Sequence, residues 1–443
     1  MFNKGLKSNT LKHVDIIISG GGMVGTTLAA CLGRNPLLKN RKVVLLEANS
    51  KSKWQFKPNH YSNRVSSINQ NTVNLMKYIG AWKHMLDCRV KSVSSMKVWD
   101  SAGALVHFKE TLPGCPLSYI VENDVLLAAV NKELETISNV TVLHESKIKS
   151  YKLPSENDSF VQITLDDGTD YSCNLLIGAD GANSQVRKEM GTQYLGWNYD
   201  QAGIVATLYL NKNLKNDTAW QRFISTGPVA ILPLTDEMSS LVWSTTKEKA
   251  KQLVALTNDE FVNALNSALK EEHVNPMTID SIRKCTDAVI SKILLSKDKT
   301  PPSPPLVTNV ENGSRVAFPF SFGHSVSYVK PSVALVGDAA HKIHPLAGQG
   351  VNLGFGDIAC LLEKLTISIQ NGFPLGHITA LREYESERQT HNVATMLTVD
   401  CMAKVYTSNN PLLLTLGNIA IHMVNYVPYL KVRLIKDIYD QKV

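Results

Sequence analysis

The sequence lacks the cysteine spacing of a disulfide framework or a structural zinc site. Its seven cysteines are an odd number, scattered along 443 residues without a Cys-x-x-Cys pair. This usage excludes a small secreted scaffold held by disulfides, and it favours a reducing compartment. The cysteines are Cys31, Cys88, Cys115, Cys173, Cys285, Cys360 and Cys401.

The sequence also lacks a large excess of one charge and a long uninterrupted apolar run. The net charge of +7 is mild, and no basic run carries interleaved aromatic residues, so nucleic acid is not an expected partner.

The most apolar stretch, residues 412–430, is interrupted by two asparagines, a histidine and a proline, which argues against a membrane-spanning helix. Three cations follow it and favour an apolar face resting on an anionic membrane surface, with packing in the protein core as the open alternative. They are Lys431, Arg433 and Lys436.

Residues 1–13 contain three lysines, no acidic residue and no apolar segment of signal-peptide length. Secretion is therefore not expected, and these residues are interpreted as a short basic leader. A mitochondrial presequence fits the basic charge, but the absence of arginine weakens that signal.

A glycine-rich turn lies between a predicted strand and a predicted helix near the start of the chain. Gly20 permits a tight turn, Gly22 lets the backbone approach a pyrophosphate, and Gly25 allows close packing of helix on sheet. A second predicted strand ends at Glu47, 22 residues after Gly25, where a carboxylate accepts a hydrogen bond from a ribose hydroxyl. The sequence therefore predicts a bound adenine dinucleotide with an unphosphorylated ribose, FAD or NAD.

A second glycine-rich segment, residues 335–357, joins another predicted strand to a predicted helix. Asp338 stands at the C-terminal tip of that strand, where open α/β sheets place their ligands. Pro345, Gly348 and Gly350 then lead into an apolar helical pattern. The carboxylate and the N–H groups of the helix start suit the ribityl chain and pyrimidine edge of a flavin. Taken alone, the pattern also fits a tight strand–loop–helix corner.

A third segment, residues 175–187, has the sequence LLIGADGANSQVR and predicts a strand, a turn containing Asp180, and a helix start. An Asp or Ser that caps a helix would explain this segment equally well by itself.

The order of these segments resembles that of the group A aromatic-ring hydroxylases, flavin monooxygenases with one FAD-binding fold. The shared motifs are GGGMVG with Glu47, the pair Arg64-Val65, GADGANSQVR and GDAAHKIHPLAGQGVNLG. Residues 119–123 (YIVEN), 219–234 and 240–244 are similar to the ubiquinone-biosynthesis hydroxylases within that family, and to their eukaryotic mitochondrial members most of all.

The resemblance implies a set of FAD-binding residues. Pro345, Gly348 and Gly350 would lie near the isoalloxazine, and no catalytic side chain is assigned, because reduced flavin itself activates oxygen as a C4a-hydroperoxide. Asn123 stands where many group A hydroxylases have an arginine, so it would bring hydrogen bonds without charge. The implied cofactor-binding residues are Gly20, Gly22, Gly25, Glu47, Arg64, Asn123, Asp180, Asp338, Gly350, Val351 and Asn352.

The expected fold class is α/β, with a Rossmann-like FAD-binding domain interleaved with an antiparallel-sheet substrate domain. Residues 14–110, 119–187 and 331–390 are assigned to the FAD-binding domain. Residues 190–330 are assigned to the substrate domain, with a Lys/Pro-rich insert near 270–312. Residues 391–443 are expected to form a C-terminal helical region.

The resemblance further implies hydroxylation of a polyprenylated hydroxybenzoate at ring carbon 5 in ubiquinone biosynthesis. Electrons would come from a ferredoxin and its reductase, and the enzyme would work with other coenzyme Q biosynthesis proteins. It would be peripheral on the matrix side of the mitochondrial inner membrane. Two alternatives stay open: a hydroxylase of another phenol that uses NAD(P)H directly, and a non-catalytic FAD-bound scaffold.

His341 and His344 are spaced like a pair of metal ligands. No third ligand of suitable spacing accompanies them, so a metal site is not expected. The resemblance implies instead that they shape the turn beside the isoalloxazine.

Overall fold

Two large β-sheets and a small one are joined by nine α-helices in the described part of the chain. This computed structural model describes residues 11–52, 54–58, 60–100, 105–110, 114–154, 159–211, 215–270, 303–345, 348–408, 410, 413, 417 and 419–420. The strands are β1 (Lys12–Ser19), β2 (Val43–Leu46), β3 (Val65–Ile68), β4 (Lys91–Val93), β5 (Ser95–Asp100), β6 (Leu105–Lys109), β7 (Ser118–Glu122), β8 (Val140–Leu143), β9 (Ile148–Lys152), β10 (Val161–Leu165), β11 (Asp170–Gly178), β12 (Tyr194–Leu210), β13 (Thr218–Ile224), β14 (Gly227–Pro233), β15 (Met238–Thr246), β16 (Val307–Val310), β17 (Val316–Ser325), β18 (Val329–Lys330), β19 (Val333–Leu335) and β20 (His341–Lys342). The helices are α1 (Met23–Arg34), α2 (Gln70–Ile79), α3 (Ala81–Cys88), α4 (Asn123–Leu134), α5 (Gln185–Glu189), α6 (Lys247–Ala255), α7 (Asn258–Lys270), α8 (Gly350–Gln370) and α9 (Ile378–Tyr406), with a 3₁₀ turn at Gly337–Ala339.

The first large sheet has a parallel core in the order β19-β11-β1-β2-β8. Residues 16–18 of β1 are fully buried, as expected of a parallel strand that is covered on both faces. Because these strands are parallel, the residues that follow their C-terminal ends share one edge of the sheet. Gly20, Glu47, Asp180 and Asp338 all follow such strand ends, so the fold brings them to that edge.

The second large sheet has the order β20-β17-β12-β15-β14-β13-β5-β6, with β16 beside β12. Most neighbours are antiparallel, which confirms the predicted antiparallel sheet. Helices α6 and α7 cover one face, where the rings of Phe261 and Trp243 lie 6.0 Å apart. On the other face, Phe223 packs with Ile343 and Leu353 of the glycine-rich segment. That face is therefore turned toward the first sheet and is called the inner face below.

Two expected boundaries differ from the structure. Strands β5 and β6 were expected in the FAD-binding segment 14–110, but β5 pairs in parallel with β13 and belongs to the second sheet. The division at 390/391 falls inside α9, which is one continuous helix from Ile378 to Tyr406. The first difference comes from a strand pairing between segments distant in the chain, and the second from the length of a helix. Local sequence patterns reveal neither.

Several predicted elements match closely. The helix predicted after Gly22 is α1, and the helix predicted near Gly350 begins at that residue. Helix α7 is amphipathic, and its apolar side is buried.

Most of the basic leader, most of the Lys/Pro-rich insert and most of the apolar stretch 412–430 lie outside the described residues. Within the described ranges, no helix combines the length and apolarity needed to cross a membrane.

Candidate cofactor and active site

The turn after β1 leaves room for a ligand at one glycine and not at the others. Gly20 has φ +107°, a left-handed value that favours glycine, and a Cβ on Gly25 would lie 1.9 Å from the Gly20 carbonyl oxygen. A Cβ on Gly22 would meet no described atom within 4 Å. Gly20 and Gly25 therefore build the turn, while Gly22 faces open space at the start of α1, where a pyrophosphate would approach.

Glu47 is fixed at the end of β2 by three hydrogen bonds. The Gly21 N–H donates to its Oε2 at 2.7 Å, and the backbone and side-chain N–H groups of Asn49 donate to Oε1 at 2.8 and 2.6 Å. The carboxylate thus stands beside the glycine turn in a fixed orientation. Its remaining lone pairs suit a ribose hydroxyl.

One carboxylate oxygen of Asp180 accepts hydrogen bonds, and the other has no hydrogen-bond partner among the described residues. Its Oδ2 accepts hydrogen bonds from the N–H groups of Gln185 and Val186, which begin α5. Its Oδ1 is buried and has no partner among the described residues. An orphaned buried acceptor next to the strand ends fits a ligand that brings a hydroxyl donor.

Asp338 lies in a concave part of the surface at this sheet edge, which is called the cleft below. Its side chain is accessible to solvent, while the neighbouring Gly337 and Ala339 are buried. The surrounding protein nevertheless desolvates the carboxyl group enough to raise its pKa, against the opposing effects of His341 and Lys342. Accessibility and desolvation together describe a carboxylate inside a concave site, as a ribityl chain would require.

The start of α8 presents backbone N–H groups at the same edge. The first intrahelical bond here runs from the Leu353 N–H to the Gln349 carbonyl, so the N–H groups of Gly350, Val351 and Asn352 have no intrahelical acceptor. Gly348 has φ +61°, and its N–H donates to the Pro345 carbonyl at 3.1 Å. This glycine turn aims the positive end of the helix at the cleft.

The Asn352 side chain is used to hold the helix in place. Its Oδ1 accepts from the Asn69 N–H and the Thr72 hydroxyl, and its Nδ2 donates to the Ser67 carbonyl at 2.8 Å. A cofactor would therefore meet the backbone of Asn352 rather than its amide.

Arg64 and Asn123 lie together at the small sheet of β3, β7 and β4. The Asn123 N–H donates to the Arg64 carbonyl at 3.0 Å, and Ser66 donates to the Asn123 Oδ1 at 2.6 Å. The Arg64 side chain is exposed and forms no ion pair within the described ranges. Arg64 therefore offers a cation at this side of the site, while one lone pair of the Asn123 Oδ1 is already used by Ser66.

Sequence reasoning missed a buried charge cluster behind the cleft. Asp357 of α8 accepts hydrogen bonds from the Gly337 N–H at 2.9 Å, from Arg388 Nε at 2.8 Å and from Asn392 Nδ2 at 3.1 Å, and its Oδ2 lies 2.6 Å from His341 Nε2. Burial raises the pKa of Asp357, but His341 and Arg388 hold it below its usual range. His341 thus has a carboxylate partner within the protein, on the side of the loop away from His344's aromatic neighbours.

His344 lies in an aromatic environment on the other side of the loop. Its ring is 4.6 Å from that of Phe320 and 5.0 Å from that of Tyr199, and its Nε2 is 3.3 Å from Gln201 Oε1. Burial lowers the pKa of His344 to about 4, so the ring is neutral near pH 7. Among the described residues, no group of three potential metal-ligating side chains lies together.

The chain matches a family model described as an FAD binding domain over residues 13–299 and 307–398. It is 44% identical over 409 residues to the mitochondrial ubiquinone biosynthesis monooxygenase COQ6 of Homo sapiens, covering 90% of this chain and 87% of that protein. The protein of the same name from Danio rerio is 43% identical over 94% of this chain and 88% of its own length, and that of Schizosaccharomyces pombe is 31% identical over 95% and 90%.

Solved structures show the same fold at lower identity. PqsL of Pseudomonas aeruginosa, described as a probable FAD-dependent monooxygenase, superposes with a TM-score of 0.70 at 21% identity, covering 91% of this chain and all of that one. The p-nitrophenol 4-monooxygenase PnpA of Pseudomonas putida has the same TM-score at 15% identity, with 98% and 100% coverage. The fold, the glycine turns at one sheet edge and the extent of the identities agree, and the chain belongs to the COQ6 family of FAD-dependent ubiquinone biosynthesis monooxygenases.

Proposed function

We propose that this chain hydroxylates carbon 5 of a 4-hydroxy-3-polyprenylbenzoate. The observation that carries the proposal is the meeting of Gly22, Asp338 and the start of α8 at one edge of the first sheet, beside the inner face of the second. The name of the relatives supports a substrate of ubiquinone biosynthesis, and the chemistry of the ring indicates which ring carbon reacts. A phenol oxygen donates electron density to its two ortho carbons, and the prenyl chain occupies one of them, so carbon 5 is the reactive position.

Bound FAD would supply the activation of molecular oxygen that no amino-acid side chain provides. The residues of the chain bind and orient it. The open space at Gly22 admits the pyrophosphate, Glu47 and Asp338 accept hydrogen bonds from hydroxyl groups, and the N–H groups at Gly350 and Val351 stabilise negative charge at the pyrimidine edge.

The aromatic environment of His344 would form the side of the site nearest the substrate. A neutral His344 between Phe320 and Tyr199 brings no charge to this wall, and its burial excludes water. Exclusion of water protects a reactive oxygen species from unproductive decay.

The proposal includes the supply of electrons by a ferredoxin and its reductase. It also includes an assembly with other coenzyme Q biosynthesis proteins at the matrix face of the mitochondrial inner membrane. Mitochondrial location is supported by the names of the relatives. A peripheral membrane contact is supported by the apolar stretch 412–430 and the cations after it. Liposome flotation of the chain with and without residues 410–443 tests that contact, and equal flotation would reject it.

Product analysis tests the reaction. Protein loaded with FAD is incubated with 3-geranyl-4-hydroxybenzoate, oxygen, ferredoxin, its reductase and NADPH, and the Asp338→Ala variant is the control. We expect 3-geranyl-4,5-dihydroxybenzoate from the unaltered chain and a large reduction in the variant. An absence of any hydroxylated product from FAD-loaded protein would favour the scaffold alternative.

A further inference from the structure

One polar side chain lies in an otherwise apolar row on the inner face of the second sheet. The row crosses seven strands, and each member is paired directly with the next, so all of them project from the same face. Its members are Val106, Val98, Gln221, Ala230, Val242, Val205 and Val316.

The neighbours of Gln221 along β13 show that it faces the cofactor side. Phe223, two residues on, packs with Ile343 and Leu353 of the glycine-rich segment and α8. Ala219, two residues before, packs with Ile120 of the small sheet. Because alternate residues of a strand share a face, Gln221 projects between these two contacts.

Gln221 is buried without a partner. Only 7% of the residue's surface is exposed, that remainder includes its amide atoms, and the amide forms no hydrogen bond with any described residue. An amide carries two donors and one acceptor, and burial of such a group is unfavourable unless something pairs with it. The other residues of the row are valines and one alanine, which cannot pair with the amide. The amide atoms keep some contact with solvent, so water in the free protein, or a ligand that displaces it, supplies that pairing.

The chemistry of the amide selects the group it would bind. A carboxylate only accepts hydrogen bonds, which would leave the Gln221 Oε1 unpaired, whereas a hydroxyl both donates and accepts. The row also supplies no cation to balance a buried carboxylate. A phenol hydroxyl can donate to the amide oxygen and accept from the amide N–H.

We propose that Gln221 binds the phenol hydroxyl of the aromatic substrate and thereby fixes which ring carbon is presented for hydroxylation. The Oε1 accepts from the phenol O–H, and the Nε2–H donates to the phenol oxygen. The proposal rests on the proposed function, since it assumes a phenolic substrate on this face. Gln221 would thus recognise the phenol hydroxyl, the group that directs hydroxylation to the ortho ring carbon.

Binding of two matched ligands tests the proposal. The first ligand is 3-geranyl-4-hydroxybenzoate, and the second is 3-geranylbenzoate, which lacks the hydroxyl. Their Kd values for the FAD-loaded protein are measured by calorimetry, and we expect the unaltered chain to prefer the phenol by about 10-fold. Gln221→Leu should reduce that ratio to near one without changing FAD content.

Two further variants make the result specific. Gln221→Met removes the amide while keeping a long side chain, and it should reproduce the loss of discrimination if Gln221→Leu folds poorly. Gln162→Leu makes the same chemical change on β10 of the first sheet and should leave the ratio unchanged. Because Gln221 has no partner in the described protein, its variants should not lower the unfolding temperature of the ligand-free protein.

The outcomes separate the two proposals. A preference for the phenol that survives in both Gln221 variants would overturn the role of Gln221 while leaving the proposed function intact. Failure of the unaltered chain to bind either compound would reject the substrate class, and the assignment of Gln221 with it.

Discussion

Asp357 Oδ2 lies 2.6 Å from His341 Nε2, and both side chains are almost completely buried. Asp357 belongs to α8, whose start faces the cleft, and His341 belongs to the loop that carries Asp338. Arg388 on α9 completes the contact from a third segment. One carboxylate therefore links the loop and both long helices, so it determines how rigidly the cleft is held.

We expect Asp357→Asn to destabilise the protein by about 3–5 kcal/mol, because it leaves the buried Arg388 without its counter-charge. Urea unfolding with FAD present measures this loss. Glu387→Gln is the matched control, since Glu387 pairs with Lys364 across the same two helices but is 54% exposed. It should cost at most about 1 kcal/mol. Equal losses in the two variants would contradict the role assigned to Asp357.

Gly22→Val should weaken FAD binding and leave the apoprotein folded. Its side chain would enter the open space where the pyrophosphate approaches, and overpacking of about 1–3 kcal/mol corresponds to a rise in Kd of about 5- to 150-fold. Flavin fluorescence titration measures the Kd, and thermal unfolding of FAD-free protein checks the fold.

Gly25→Val provides the contrast for that experiment. Its Cβ would lie 1.9 Å from the Gly20 carbonyl oxygen, so this variant should lower the unfolding temperature even without FAD. A Gly22→Val protein that binds FAD as tightly as the unaltered chain would remove this glycine from the site.

His344 should make stability depend on pH between about 4 and 6.5. Burial lowers the pKa of His344 to about 4 in the folded protein, whereas an exposed histidine has a pKa near 6.5. The unfolded chain therefore binds the proton first, and stability is lost as pH falls through this window. The loss is about 3 kcal/mol from this residue.

Comparison with His344→Gln isolates that contribution. The variant keeps a hydrogen-bonding side chain toward Gln201 but does not titrate. Urea unfolding at pH 7 and at pH 4 should show a smaller loss of stability in the variant than in the unaltered chain. Parallel losses in both proteins would show that folding does not lower the pKa of His344.

Local patterns predicted the parts of the site in which strand, turn and helix are adjacent in sequence. Gly20–Gly25 and the helix start at Gly350 are of this kind, because the glycines that permit the turn also mark its position. The Asp357 cluster was not predictable in this way. Its partners His341 and Asn392 lie 16 and 35 residues away, and only the packing of two helices brings them together.

Gln221 illustrates a second limit. Its burial depends on the register of β13 against β5 and β14, and the β5 pairing is parallel between segments more than a hundred residues apart. The sequence around it, TAWQRFI, does not alternate strictly between polar and apolar residues, so it does not indicate which face is covered by the first sheet. The side of the sheet that meets the cofactor is a property of the assembled fold.

The electron donor is the prediction that separates this chain from a hydroxylase using NAD(P)H directly. The sequence has one complete dinucleotide fingerprint, Gly20–Gly25, and the geometry at Gly22 suits the FAD pyrophosphate there. Under anaerobic conditions we therefore expect slow bleaching of the bound flavin by NADPH or NADH alone. Addition of ferredoxin and its reductase should make the bleaching fast. The reductase without ferredoxin is the control, and rapid reduction by NADPH alone, stimulated by substrate, would reject the ferredoxin route in favour of the nicotinamide-dependent alternative.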